Sequence, residues 1–163
     1  MYGKILIAFF SASPSRRTEQ VAHKIADVIR ADLYEIVPAV PYVQEDLNWN
    51  DDMSRTSVEM RDPNSRPAIA GELVDLTQYP VIFVGFPIWW YVAPHIINTF
   101  LESYDLTGKI VVPFATSGGS GIGDTMAELK PSCADSVKWV RGDILSRRQT
   151  REQLTDWMNR LKL

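Results

Sequence analysis

The fold is decided by residues 4–31, which read KILIAFF at 4–10, SASPSRRT at 11–18 and EQVAHKIADVIRA at 19–31. The first part is a short, continuous apolar run, which is typical of a strand covered on both faces of a parallel sheet. The last part carries apolar residues at helical spacing, from Val21 through Ile25 to Ile29, and predicts an amphipathic helix. A buried strand, a polar loop and a helix in this order indicate the first unit of an alternating α/β fold.

The same alternation continues to the end of the chain. Further strands are predicted at residues 33–37, 81–86 and 110–115, and in the weaker run at 136–140. Helices are predicted at residues 18–31, 94–104, 121–129 and 150–161. We therefore expect a three-layer, doubly wound α/β fold whose five-stranded parallel sheet has the order 2-1-3-4-5, with right-handed crossovers.

Length and composition fit a single domain spanning residues 1–163. Hydrophobic residues make up 45% of the chain and charged residues 23%, which is typical of globular proteins and excludes a disordered or collagen-like chain. The 17 basic and 20 acidic residues give a formal net charge of -3, so no nucleic-acid partner is expected. No apolar run approaches the ~18 residues of a membrane span. The lone Cys133 excludes an internal disulfide, and we expect a cytoplasmic protein without a membrane partner.

In a sheet of this kind, ligands bind beyond the carboxyl ends of the strands, where the winding of the chain reverses. This rule selects three loops, at residues 11–18, 87–91 and 116–123, which are named the first, second and third loops. The first loop combines hydroxyl groups, two arginines and the unpaired N–H groups of a helix start, a pattern that favours a bound anion such as phosphate. The alternative is an ordinary helix N-cap followed by solvated arginines. Its candidate ligands are Ser11, Ala12, Ser13, Arg16, Arg17 and Thr18.

The second loop is rich in aromatic side chains. Its candidate site residues are Pro87, Ile88, Trp89, Trp90 and Tyr91. Three adjacent aromatic side chains cannot all enter one core, so at least one is expected to offer a flat surface to a planar ring in the crevice. The alternative is that one ring packs in the core while another contacts a partner or a second copy.

The third loop is rich in glycine, which allows close approach by a ligand and presents several N–H donors. Its candidate residues are Thr116, Ser117, Gly118, Gly119 and Gly121, and the alternative is a flexible turn before the following helix. Together the three loops predict one ligand, with a phosphate on the first loop and a planar, largely apolar ring between the second and third. Flavin mononucleotide (FMN) has both parts.

At this point the chain resembles the flavodoxins, most closely a bacterial flavodoxin-like branch with Pro-Ile-Trp-Trp at 87–90 and Thr-Ser-Gly-Gly-Ser-Gly-Ile-Gly at 116–123. The resemblance covers essentially the whole chain and implies tightly but non-covalently bound FMN. It implies that Ser11, Ser13 and Thr18 hold the phosphate, that residues 87–90 flank the isoalloxazine, and that residues 116–121 line its pyrimidine edge or the ribityl chain. The phosphate loop of flavodoxins is usually shorter, with a glycine where Pro14 or Ser15 stands here.

The resemblance implies an oxidoreductase-type flavoprotein that acts in electron transfer. The alternative is an NAD(P)H-dependent quinone or nitro reductase on the same fold. A non-flavin signalling domain is disfavoured, because Ser11 and Ser13 stand where such a domain has an acidic pocket. The expected partner is a redox protein or a small quinone-like acceptor, and the expected assembly is a monomer or a weak homodimer.

No side chain is predicted to act as a catalytic acid, base or nucleophile, and no metal site is predicted. Residues 46–51 imitate the start of a calcium loop, but position six is Asp51 rather than Gly. His23 and His95 are expected at the surface or at a helix cap.

Residues 38–67 are too long for a plain connection between a strand and a helix. Their prolines, asparagines and charges predict a partly ordered excursion over the surface with one helical turn. Within it, Tyr42 and Trp49 could fold back towards the flavin.

Overall fold

A computed structural model describes residues 3–117, 119 and 121–163 of the chain. The strands are β1 (Ile5–Phe9), β2 (Asp32–Glu35), β3 (Val81–Pro87), β4 (Ile110–Thr116), β5 (Lys138–Trp139) and β6 (Asp143–Ile144). The helices are α1 (Arg17–Ile29), α2 (Arg55–Arg61), α3 (His95–Glu102), α4 (Thr125–Leu129) and α5 (Arg151–Leu161), with 3₁₀ turns at Gln44–Leu47 and Lys130–Ser132. None of the helices in the described part of the chain is long and apolar enough to cross a membrane.

The strands form one parallel sheet in the order β2-β1-β3-β4-β5, which confirms the predicted 2-1-3-4-5 topology. Successive side chains of β1 enter opposite layers, because strand residues alternate between faces. Leu6 and Ala8 pack with the α3 side chains Ile96 and Ile97, whereas Ile7 packs on the other face, against α1 and α5. The sheet is therefore covered by helices on both sides, as its continuous apolar strands predict.

The fifth strand position is broken into β5 and β6, which the sequence analysis does not anticipate. Both segments pair with β4, but residues 140–142 stand opposite only residues 112–113, so the strand bulges by one residue. The bulge lies at Pro113, which has no N–H to offer on the side of β4 that faces the fifth strand. Gly142 packs there so closely that a Cβ would lie 2.5 Å from the carbonyl oxygen of Pro113.

Residues 38–67, named the covering segment, are more ordered than the sequence predicts. They contain the 3₁₀ turn Gln44–Leu47 and the seven-residue helix α2, rather than one helical turn. Ser54 caps α2 by accepting a hydrogen bond from the backbone N–H of Ser57. The base of the segment is closed by an antiparallel bridge between Pro38 and Ile69.

Candidate cofactor site

The three loops meet at Thr116, the last residue of β4. The hydroxyl oxygen of Thr116 lies 2.8 Å from that of Thr18 in α1, and both side chains are buried. The backbone N–H of Ile88, in the second loop, donates to the carbonyl oxygen of Thr116 at 3.0 Å. The three loops that follow β1, β3 and β4 are thus joined by direct hydrogen bonds beyond the carboxyl ends of the strands, where ligands bind in open parallel sheets.

The second loop forms a tight two-residue hairpin. Trp89 and Val92 exchange backbone hydrogen bonds of 2.9 and 3.2 Å, and the residues between them have positive φ angles, 50° at Trp90 and 68° at Tyr91. Such turns strongly prefer Asn and Gly, because a left-handed backbone crowds a Cβ. Two aromatic residues in this conformation indicate a turn that the surrounding structure holds in place.

This turn separates the three aromatic side chains of the loop. The ring of Trp89 is half-buried and makes edge-to-face contacts with Phe10 and Tyr42, at centroid distances of 5.6 and 5.4 Å. Trp90 and Tyr91 instead remain 42% and 69% exposed. Trp89 is therefore anchored to the core, whereas the two rings at the tip of the turn are available to a ligand or a partner.

The third loop is pressed against the second by Gly123. This glycine has a φ of 56°, and a Cβ built on it would lie only 2.5 Å from the carbonyl oxygen of Tyr91. Any other residue would clash with the hairpin, so the close approach requires glycine. In the same loop, the N–H of Gly119 donates to the hydroxyl of Ser117 at 3.2 Å, whereas Gly118 lies outside the described residues.

A cavity of about 540 Å³ opens between these loops and the covering segment. Its volume and largely aromatic and apolar lining are typical of a small-molecule site. The described lining residues are Leu47, Trp49, Thr56, Ile88, Trp89, Trp90, Tyr91, Ser117 and Gly119. Six of the predicted site residues thus face one cavity, and so does Trp49, which the sequence analysis named as able to fold back towards the flavin.

Leu47 and Thr56 were missed, because nothing in their local sequence marks them as site residues. The 3₁₀ turn that ends at Leu47 and the helix that carries Thr56 are joined by a hydrogen bond from the Thr56 hydroxyl to the carbonyl of Asp46, at 2.7 Å. Gly121 was predicted in the site but lines a different cavity, between the third loop, the fifth strand and α5. Pro87 and Thr116 lie at the strand ends and do not line the cavity.

The first loop differs from the prediction at Arg16. This residue precedes α1 with a φ of 53°, a left-handed backbone conformation. In flavodoxins a glycine usually stands where this chain has Pro14 or Ser15, but here the left-handed residue of the loop is Arg16. Its guanidinium pairs with the carboxylates of Glu19, at 2.5 Å, and Glu35. The bond to Glu19 raises the pKa of Arg16, and the same bond lowers the pKa of Glu19. The charge of Arg16 is thus balanced by acidic side chains and is not directed at an anion.

The remaining first-loop residues surround the start of α1. The backbone N–H groups of Arg17 and Thr18 belong to the first helical turn, which leaves them without an intrahelical acceptor. The Arg17 side chain is exposed, and the hydroxyls of Ser13 and Ser15 lie 3.3 Å apart. Ser11 and Ala12 lie beside a separate cavity of about 150 Å³ that Arg16 also lines. An anion would therefore find hydroxyl and N–H donors at the helix start, with Arg17 as the nearby positive charge.

His95 is the first residue of α3, beside its N-cap, which agrees with the expected position near a helix cap, but its side chain is buried rather than at the surface. Its Nδ1 lies 2.5 Å from the hydroxyl of Ser65, and burial lowers the pKa of the imidazole. His23 is exposed, as predicted. Within residues 3–117, 119 and 121–163, no group of three or more His, Cys, Asp or Glu side chains could hold a metal ion.

Comparison with known proteins agrees with this geometry. A family model described as flavodoxin matches residues 4–161. The chain belongs to the flavodoxin family. No curated protein sequence matches the chain significantly.

Solved structures extend this flavodoxin assignment. A candidate flavoprotein from Bacteroides eggerthii is 45% identical to this chain, with 99% of each chain covered and a TM-score of 0.91. Another, from Bacteroides uniformis, is 44% identical, with 98% of this chain and 99% of that chain covered and a TM-score of 0.89. A flavoprotein from Lactobacillus acidophilus, solved in complex with FMN, has the same fold at 21% identity, with 93% of this chain and 98% of that chain covered and a TM-score of 0.68. Membership of the flavodoxin family supports FMN as the cofactor.

Proposed function

We propose that this flavodoxin binds FMN in the 540 Å³ cavity and serves as an electron carrier. The observation that carries the proposal is the meeting of the three strand-end loops at Thr116, whose hydroxyl contacts Thr18 at the start of α1 and whose chain neighbour Ser117 lines the cavity. A ligand that spans both places needs a flat apolar part and an anionic tail. FMN has this shape, and when bound it supplies the ability to accept and release electrons.

The ring of FMN would lie against the second loop. Trp90 and Tyr91 are the exposed aromatic surfaces there, and Trp89 forms the deeper wall. Ser117 and Gly119 face the same space from the third loop and would form the polar part of its lining, against the ring edge. This arrangement would fix the plane of the ring and would keep water from the face that lies on Trp89.

The phosphate would lie at the start of α1. We assign it to Ser13, Arg17 and Thr18, together with the backbone N–H groups of Arg17 and Thr18 in the first helical turn. Of the two hydroxyls in the Thr18–Thr116 pair, one donates to the other, so the accepting hydroxyl keeps its own proton for the ligand. Arg16 is left out of this set, because Glu19 and Glu35 already neutralise it.

Electron transfer, rather than catalysis by side chains, is supported by the lining of the cavity. Apart from the phenol of Tyr91, none of the described residues that face it carries a carboxylate, an imidazole or another group that commonly moves protons to a substrate. The exposed Trp90 and Tyr91 place the mouth of the cavity where a redox partner protein can reach it. A partner protein or a small quinone-like acceptor is the proposed source or recipient of electrons.

The first test is FMN binding by the purified protein. We expect apoprotein to take up FMN with quenching of flavin fluorescence, and to bind riboflavin more weakly because riboflavin has no phosphate. Arg17→Ala should remove most of that preference, whereas Arg30→Ala, at the other end of α1, should not. Equal affinity of the wild type for both ligands would contradict the phosphate assignment, and no affinity for either would contradict the proposed function.

A reductase on the same fold is the second candidate, and the covering segment favours it. Leu47, Trp49 and Thr56 add a wall to the cavity that faces the second loop, which could hold a planar acceptor beside the flavin. Steady oxidation of NADH or NADPH by the FMN-loaded protein in the presence of a quinone or nitroarene would identify a reductase. An electron carrier should show little turnover in that assay.

A further inference from the structure

Tyr42 joins the covering segment to the second loop. The ring of Tyr42 contacts Trp89 edge to face at a centroid distance of 5.4 Å, with an interplanar angle of 73°. It also contacts Phe10 at 5.7 Å, so the rings of Phe10, Tyr42 and Trp89 form a closed triangle. The wall of the cavity that Trp89 provides therefore depends on where Tyr42 stands.

Two charged residues of α2 hold Tyr42 in place. The phenol hydroxyl donates to Oε1 of Glu59 at 2.6 Å, while the guanidinium of Arg55 lies 3.8 Å from the centroid of the tyrosine ring. Arg55 also donates to Oε2 of Glu59 at 3.0 Å and to the carbonyl of Val40 at 2.8 Å. The charges of the carboxylate and the guanidinium thus neutralise each other, while the carboxylate binds the hydroxyl of Tyr42 and the guanidinium contacts its ring.

The hydroxyl of Tyr42 remains a donor throughout the physiological range. Burial is the main cause that raises the pKa of Tyr42 far above its usual value, and the bond to Glu59 adds to it. The bond to Glu59 is therefore not lost by ionisation of the phenol. The same helix carries Thr56, which lines the cavity, so α2 and Trp89 form two walls that Tyr42 connects.

We propose that Tyr42 is a positioning residue for the cofactor: clamped by Arg55 and Glu59, its ring sets the orientation of Trp89 against the FMN ring. This inference rests on the proposed function. It assigns to the covering segment a role in the flavin environment, and not only in closing the surface above the sheet. A purely structural role predicts a loss of stability alone, whereas a positioning role predicts a changed flavin spectrum in a folded protein.

The test compares two tyrosines that make the same kind of bond. Tyr79 donates to Oδ2 of Asp32 at 2.6 Å and is buried, but it lies just before β3, at the amino-terminal end of the strands and so at the end of the sheet opposite the three loops. Tyr42→Leu and Tyr79→Leu should therefore both lower the free energy of unfolding of the apoprotein. Only Tyr42→Leu should raise the Kd for FMN, by about tenfold, and change the visible circular dichroism of the bound flavin.

Tyr42→Phe supplies the rescue, because it keeps the ring contacts and loses only the hydroxyl. We expect it to restore the visible circular dichroism and to bind FMN within about threefold of the wild type. If Tyr42→Leu does not fold, Glu59→Ala, which removes both the acceptor of the phenol and the carboxylate partner of Arg55, should still change the visible circular dichroism of the bound flavin.

Three outcomes would overturn the inference: an unchanged flavin spectrum and Kd in Tyr42→Leu, the same losses in Tyr79→Leu, or no rescue by Tyr42→Phe. If Tyr42→Leu does not fold, an unchanged spectrum in Glu59→Ala overturns it as well. Failure of the wild type itself to bind FMN would instead refute the proposed function, so the two failures are distinguishable.

Discussion

Replacing Gly123 by alanine tests whether close contact between the second and third loops builds the site. Alanine at a φ of 56° costs roughly 1–2 kcal/mol, because a left-handed backbone crowds the Cβ. The new Cβ would also lie 2.5 Å from the carbonyl oxygen of Tyr91, and forcing an extra carbon into a packed contact typically costs about 1–3 kcal/mol. We therefore expect Gly123→Ala to lower the free energy of unfolding by about 3 kcal/mol.

Gly108→Ala is the matched control. Gly108 has a φ of 76°, but a Cβ there meets nothing within 4 Å. The residue lies just before β4, at the amino-terminal end of the strands and away from the site. This variant should lose only the conformational part, about 1 kcal/mol, and should keep its affinity for FMN.

Urea denaturation of the apoproteins measures the stability difference, and fluorescence titration measures the Kd for FMN. Because Gly123→Ala pushes the hairpin out of place, its Kd should rise at least about tenfold, equivalent to roughly 1.4 kcal/mol. If Gly123→Ala costs no more stability than Gly108→Ala and binds FMN normally, the two loops do not depend on this contact.

Three further predictions follow from the same structure. Trp89→Ala should destabilise the apoprotein by about 2–3 kcal/mol, because the Trp89 ring packs against the core. Trp90→Ala should change the stability by less than about 0.5 kcal/mol but should weaken FMN binding by roughly 1–3 kcal/mol. Urea denaturation measures the effect on stability, and FMN titration measures the effect on binding. Arg17→Ala should weaken FMN binding about tenfold and leave riboflavin binding unchanged, as parallel titrations would show, and equal losses would argue against a phosphate at α1. Burial lowers the pKa of His95 below its usual 6.5, so the unfolded chain binds a proton that the folded protein does not, and stability should fall as pH drops below 6.5 until the folded pKa is reached. His95→Asn, which keeps a donor for Ser65, should flatten that part of the stability profile, and an unchanged profile would mean that another group causes it.

The parts of the fold that could be predicted are those encoded locally. The apolar runs of β1, β3 and β4 and the helical stripe of α1 each report their own environment, and together they lead to the confirmed strand order. The bulge in the fifth strand depends on a contact between Gly142 and Pro113, which are far apart in the chain. A proline in the middle of a central strand was the available signal, because it removes a donor that a neighbouring strand needs.

The site divides in the same way. The second and third loops could be predicted as site loops from their aromatic and glycine-rich composition, and most of their predicted residues do face one cavity. The ion pair of Arg16 with Glu35 could not be predicted from the sequence, because it joins the first loop to β2, a contact that only the folded chain brings about. The hairpin at Trp90 and Tyr91 was hidden for another reason: it adopts a glycine conformation without containing glycine.

The bulge at Pro113 also protects the molecule against edge-to-edge aggregation. An unprotected outer strand offers a row of open hydrogen-bonding groups on which a foreign chain can grow. Here one border of the sheet consists of two segments of two residues each, set out of step by the extra residue, and the other border, β2, has only four. Neither border offers the long, straight template that amyloid-like addition needs, so restoring an unbroken outer strand by replacing Pro113 would exchange this protection for regular pairing.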